Sequence, residues 1–82
     1  MLSEYLRKAM EHAHYEIIED EEPYYGEIPE LQGLWATGKN LEECRTNLAE
    51  ALEDWLFFSI AKGLPIPAID GIELKPPEAI AS

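Results

Sequence analysis

Apolar residues recur at helical spacing in two stretches of the chain and alternate with polar ones between them. Leu2, Tyr5, Leu6, Ala9, Met10 and Ala13 follow one another at mostly three- and four-residue steps. That spacing predicts a short amphipathic helix over about residues 3–13, with Ser3 as its N-cap. The second stretch is longer and better delimited. Leu41, Cys44, Leu48, Ala51, Leu52, Trp55 and Ser59 fall on one side of a helix, and Glu42, Glu43, Thr46, Glu50, Glu53 and Asp54 on the other. Asn40 stands where an N-cap belongs, Glu43 occupies the return position of a capping box, and Gly63 after Lys62 supplies the stop.

Between the helices the period shortens to two. Tyr15, Ile17 and Glu19 alternate with Glu16, Ile18 and Asp20, which predicts a first strand closed by the acidic turn Asp20-Glu21-Glu22-Pro23. Tyr24-Tyr25-Gly26-Glu27-Ile28 resumes the extended pattern and forms a hairpin with it; Pro29 to Gly33 reads as a loop. Leu34 to Gly38 makes a third strand that leads into the capped helix. Beyond Gly63, Pro65 and Pro67 forbid a helix or a central strand and fit an edge strand or a polyproline segment. Asp70-Gly71 signals a turn, Ile72 to Lys75 a short fourth strand ended by Pro76-Pro77, and Glu78 to Ser82 a frayed tail. The fold class is therefore α+β: an N-terminal helix and then a β-β-β-α-β unit. Its antiparallel sheet has three to four strands, with the main helix on one face. Residues 1–82 form a single domain, with a helical extension over about 3–13, a core over about 15–69 and a tail over about 70–82.

One segment breaks the amphipathic pattern. Trp55 to Ala61 reads WLFFSIA, apolar nearly all the way round, and a helix apolar on every side is covered on every side. Either the N-terminal helix or the proline tail lies over Phe57 and Ile60, or a second subunit does. Phe57, Phe58 and Ile60 are the expected oligomer interface. Size points the same way, because an 82-residue chain has a thin core and its one cysteine, Cys44, allows no internal disulfide.

Composition changes the list of partners. Seventeen acidic residues against six basic ones give a net charge of −11, which repels nucleic acid and favours a basic protein partner. The same charge also serves solubility. No apolar run is long enough for a membrane span, and a single cysteine fits a cytoplasmic protein. Tyr24, Tyr25 and Trp35 could form a stacking platform, but their neighbours are Glu22, Glu27 and Glu30 where a nucleic-acid platform carries Lys and Arg, so a core or interface role fits better. No nucleophile has a base in view, and no glycine-rich phosphate loop is present. His12 and His14 lack a third metal ligand, and Cys44 reads as a packed thiol. Asp20, Glu53 and Asp70 are the carboxylates from which a metal-dependent nuclease site would be built, but so acidic a chain produces such triplets by chance. Neither a catalytic site nor a cofactor is expected.

An ordered set of short motifs adds to this reading. An acidic strand precedes Tyr25-Gly26-Glu27-Ile28-Pro29-Glu30-Leu31-Gln32-Gly33; a strand ending Thr37-Gly38 then leads to Asn40-Leu41-Glu42-Glu43-Cys44 opening a helix, and Gly63-Leu64-Pro65-Ile66-Pro67 follows it. Over about Tyr15 to Ile69 this succession resembles the HicB-like antitoxins. It departs from the usual pattern where Ala36-Thr37-Gly38 lacks a spacer and Cys44 replaces an alanine. The resemblance implies a partial ribonuclease H fold without catalysis. It implies a protein that binds and neutralises HicA, a small basic mRNA-cleaving ribonuclease, and that forms dimers or higher oligomers. Many members carry a C-terminal DNA-binding domain; none is expected here, so operator binding by this chain is not expected either. If a basic toxin binds, the acids on and around the hairpin, Glu19, Glu21, Glu22, Glu27 and Glu30, are the expected contacts. Alternatives are an acidic oligomeric scaffold with no toxin partner and the metal-dependent nuclease using Asp20, Glu53 and Asp70.

Overall fold

The computed structural model describes residues 2–74; the predicted tail from Pro76 to Ser82 and the end of the fourth strand at Lys75 lie outside them. The order is α1 (Leu2–Glu11), β1 (His14–Ile17), β2 (Tyr24–Glu27), β3 (Trp35–Gly38) and α2 (Leu41–Lys62). The three strands form one antiparallel sheet in the order β1-β2-β3. The register places Tyr15, Gly26 and Ala36 in one row across the sheet, and Glu16, Tyr25 and Thr37 in the next. This is the α+β architecture expected from the periodicities.

Helix α2 begins and ends where its signals stand. Asn40 Oδ1 accepts the amide of Glu43 at 2.8 Å, and the Glu43 carboxylate reaches one residue further back than a standard capping box, to the Lys39 amide at 2.6 Å. Gly63 closes the helix at φ 69°, its amide donating to Ile60 O, while the Leu64 amide donates to Ser59 O. The buried stripe is Cys44, Leu48, Leu52, Leu56 and Ser59. Leu41, expected in that stripe, is 45% exposed because it sits in the first turn, outside the core cluster. Leu56, not placed there, is 2% exposed.

Helix α2 packs over β2 and β3, and the strand glycines make room for it. A Cβ on Gly26 would meet the Tyr15 ring at 2.9 Å, and one on Gly38 would run into the backbone of Cys44. Gly38, which its place before the N-cap marks as a turn glycine, is a close-approach glycine; Gly33, at φ 85°, is the true turn residue. Ile17 has the inward phase of Tyr15 yet is 73% exposed, since β1 is an edge strand out of reach of α2.

Helix α1 lies against α2 and runs antiparallel to it. Leu2 and Leu6 share a groove with Leu56, Phe57 and Ile60, and Met10 lies near Arg45 and Ala49. Of the covers expected over the WLFFSIA segment, the N-terminal helix thus reaches Ile60, but Phe57 and Phe58 remain 62% and 57% exposed. Lys62 lies over the outer Phe58 ring, 5.8 Å from its centroid. The proline segment instead crosses to α1, where the buried Tyr5 hydroxyl donates to Pro67 O at 2.6 Å. Ile69, 1% exposed, completes the core with Ile28, Leu31 and Leu34. The predicted fourth strand does not join the sheet. Asp70 and Gly71, both at positive φ, form a tight turn across which Ile69 and Ile72 exchange backbone hydrogen bonds, and the pairing goes no further.

Candidate functional site

With α2 on one face of the sheet, the other face has no helix against it. Strand alternation puts His14 and Glu16 of β1, Tyr25 and Glu27 of β2, and Trp35 and Thr37 of β3 on that open face. Glu27 stands between His14 and Trp35 in the register, and Tyr25 between Glu16 and Thr37. Tyr25 and Trp35 are diagonal neighbours and stack, with ring centroids 6.1 Å apart and planes 19° from parallel. The Tyr25 hydroxyl donates to Glu27 Oε1 at 3.1 Å, and the Thr37 hydroxyl to Glu22 Oε1 at 2.6 Å. Desolvation first, then the hydrogen bond to Glu27 and the charges of Glu27 and Glu16, hold the Tyr25 phenol above its ordinary pKa, so it stays a neutral donor. At the β2–β3 end, a cleft of about 350 Å³ opens between Trp35, Glu27 and the loop from Pro29 to Gly33.

The five acids expected to meet a partner therefore separate. Glu22 and Glu27 border the aromatic stack, whereas Glu19 and Glu21 project from the exposed β1–β2 turn. Glu30 is engaged elsewhere. Glu16, which the alternation placed opposite Tyr15 in phase but no residue pattern singled out, joins the face because the register sets it beside Tyr25. Of the three aromatics considered as a platform, Tyr25 and Trp35 form one and Tyr24 has the opposite phase.

Glu30 belongs to a clamp that the sequence did not disclose. His12 Nδ1 lies 2.8 Å from Glu30 Oε2 and His12 Nε2 lies 3.0 Å from Asp70 Oδ1, so one ring ties the end of α1 to the β2–β3 loop and to the tail turn. An imidazole donates from both nitrogens only when protonated. Accordingly the hydrogen bond to Glu30, then that to Asp70, raises the His12 pKa, and the bond from His12 lowers that of Glu30. A raised imidazole contributes stability that is complete below its unfolded value of 6.5 and is lost as pH rises through the folded one. A lowered carboxyl contributes stability that is complete above 4.5 and is lost as pH falls through its folded value. The clamp is thus expected to be strongest between those two values. Thermal melts of the wild type should show a decline above that window that His12→Gln removes; parallel pH profiles for the two proteins would discount the clamp.

The carboxylates on His12 sit against different ring nitrogens and do not converge on one. Among the described residues no group of three or more His, Cys, Asp or Glu is placed to hold a metal ion. Asp20 lies in the β1–β2 turn, Glu53 on α2 beside the Leu6 groove, and Asp70 in the clamp, so the triplet considered for a nuclease is not assembled as a ligand set. His12 and His14 likewise part, one to the clamp and one to the open face. Cys44 is fully buried with its thiol 3.7 Å from Ala36 O, and burial, followed by the charge of Glu22, pushes its pKa up. It is a packing residue. No helix among the described residues is long and apolar enough to cross a membrane.

Residues 4–67 match a known protein family, from the first turn of α1 to the proline segment, and so include the whole open face. The chain belongs to the UPF0150-like family. A UPF0150-like fold of this kind is also present in a solved structure, that of TTHA0281 from Thermus thermophilus, which is 53% identical and superposes with a TM-score of 0.88. The superposition covers 94% of this chain and 95% of that one. A comparison with curated proteins finds no match. Since the UPF0150-like match begins at Glu4, it takes in α1 as well as the strands and α2.

Proposed function

We propose that this UPF0150-like protein is a HicB-like antitoxin, a non-catalytic binding module that neutralises a small basic HicA-type ribonuclease. The observation that carries the reading is the open sheet face, where an aromatic stack is bordered by Glu16, Glu22 and Glu27 and no Lys or Arg is contributed by any of the three strands. A net charge of −11 attracts a basic protein over a longer range. The motif succession from Tyr25 to Pro67 resembles that of HicB-like proteins, and the carboxylates of the described residues border an interaction surface without assembling a metal-binding group. The exposed Phe57 and Phe58, on the opposite side of the molecule's main helix from its buried stripe or at that stripe's margin, favour self-association as well. An acidic oligomeric scaffold is the second reading, and that apolar patch is what favours it.

The deciding experiment is retention of a small basic protein from the cognate cell extract on the tagged chain, at low and high salt, with light scattering on the same preparation. Retention at low salt that weakens at high salt is expected. Self-association with nothing retained would favour the scaffold. The Glu21→Lys/Glu22→Lys double variant should weaken capture of the retained protein by roughly tenfold at low salt, chiefly through a slower association rate. Unchanged affinity at low salt would take the hairpin acids out of the account.

A further inference from the structure

We infer that the Trp35–Glu27 corner of the open sheet face receives an arginine side chain of the protein partner. This rests on the reading of the face as a protein-binding surface and names the chemistry it recognises. Trp35 is 56% exposed although it stands mid-sheet in the register, beside Glu27 of the central strand. Tyr25 stacks on one side of the indole and leaves the other to solvent and the adjoining cleft of about 350 Å³. Glu27 uses Oε1 to accept the Tyr25 hydroxyl, and its Oε2 has no partner among the described residues.

A flat ring with a carboxylate at its edge selects among cations. A guanidinium is planar, stacks on an indole, and still directs its N–H groups in its own plane at a carboxylate. An ammonium cannot do both with one flat contact. Tyr25 fixes the ring it packs against and its hydroxyl fixes the Glu27 carboxylate, so the two halves of the receptor are held before the ligand arrives. Charge rules on the other occupants. Phosphate groups would meet Glu16, Glu22 and Glu27, and a second copy docked face to face across a twofold axis would set those carboxylates against their own images. A basic protein is the occupant whose charge complements the face.

The test is an NMR titration of the full chain with Nα-acetyl-argininamide, the lysine analogue, and the neutral citrulline analogue. Expected are shifts of the Trp35 indole N–H and the Glu27 amide, with the Trp55 indole as internal control. Arginine should bind about fivefold more tightly than lysine, and citrulline should cause no shift. Trp35→Ala should abolish the localised response while the rest of the spectrum keeps its dispersion, and Glu27→Gln should weaken it. Equal responses to arginine and lysine, or shifts spread over all acidic segments and surviving Trp35→Ala, would overturn the inference. Failure of this inference separates from failure of the antitoxin reading. A retained basic toxin whose capture ignores Trp35→Ala removes the arginine receptor alone; localised argininamide binding with no toxin retained removes the toxin alone.

Discussion

Gly38→Ala is expected to lower stability by about 3 kcal/mol, at the upper end of what overpacking costs. In a domain of this size that corresponds to a fall in Tm of roughly 15 °C. Gly38 ends β3 just before the turn into α2, and a Cβ there would meet the backbone nitrogen of Cys44 and approach its Cα to 2.8 Å and the carbonyl carbon of Glu43 to 2.9 Å. These are backbone atoms of a capped first turn, so no side chain can rotate away. Relief requires the start of α2 to lift from β3, with loss of the contact between Asn47 Nδ2 and Thr37 O, now 2.8 Å. Gly33→Ala is the control. At φ 85° with nothing within 4 Å, its cost is conformational only, about 1–2 kcal/mol. Urea or thermal unfolding of both variants measures the difference; a Gly38→Ala protein as stable as wild type would mean that strand and helix do not approach this closely.

Leu52→Ala should be comparably severe, about 3 kcal/mol, from the methyl groups removed and the cavity left behind. Leu52 is fully buried in the cluster formed by Leu48, Leu56, Ala36 and Ile28, where both helices and the sheet meet and the walls are fixed by elements on every side. Leu41→Ala is the matched control. It lies on the same apolar stripe of the sequence, yet 45% of Leu41 is exposed, so truncation should cost under about 1 kcal/mol. Equal losses for the two leucines, read from denaturant midpoints at constant slope, would mean that the first turn of α2 is covered by something beyond the described chain. Both positions bear on the open face indirectly, because β3 carries Trp35 and α2 holds β3 in place.

Local signals account for much of what is seen. The spacing of Leu2, Tyr5, Leu6 and Ala9 and that of Cys44, Leu48 and Leu52 is a property of the helix period, and Asn40 and Gly63 act within one turn of their own positions. Such features need no distant partner and were legible as sequence. The WLFFSIA segment was legible as an anomaly but not in its resolution. Whether Phe57 is covered depends on the path of α1, which is set by Tyr5 and Ala9 packing and by Pro67 on the far side of the chain.

The open face was legible only in fragments. Alternation gives each strand its two faces, but which face is covered depends on where α2 crosses, and which residues become neighbours depends on register. The acids of the hairpin therefore formed one group in sequence and divide in space: Glu22 and Glu27 beside the aromatic stack, Glu30 drawn to His12. The fourth strand failed for a related reason. Ile72-Glu73-Leu74 has the right alternation, but the positive-φ turn at Asp70-Gly71 folds it back onto Ile69 instead of sending it to a sheet edge.

The sequence by itself determined the elements, their caps, the α+β class, the acidic character and the motif succession, because each of these is written within a few residues or in a simple sum of charges. Tertiary structure alone decided that Gly38 is a contact glycine, that His12 joins three segments, and that Trp35 stands exposed beside Glu27. Those facts join residues up to 58 positions apart, and no local pattern records a distance that only the packed chain defines.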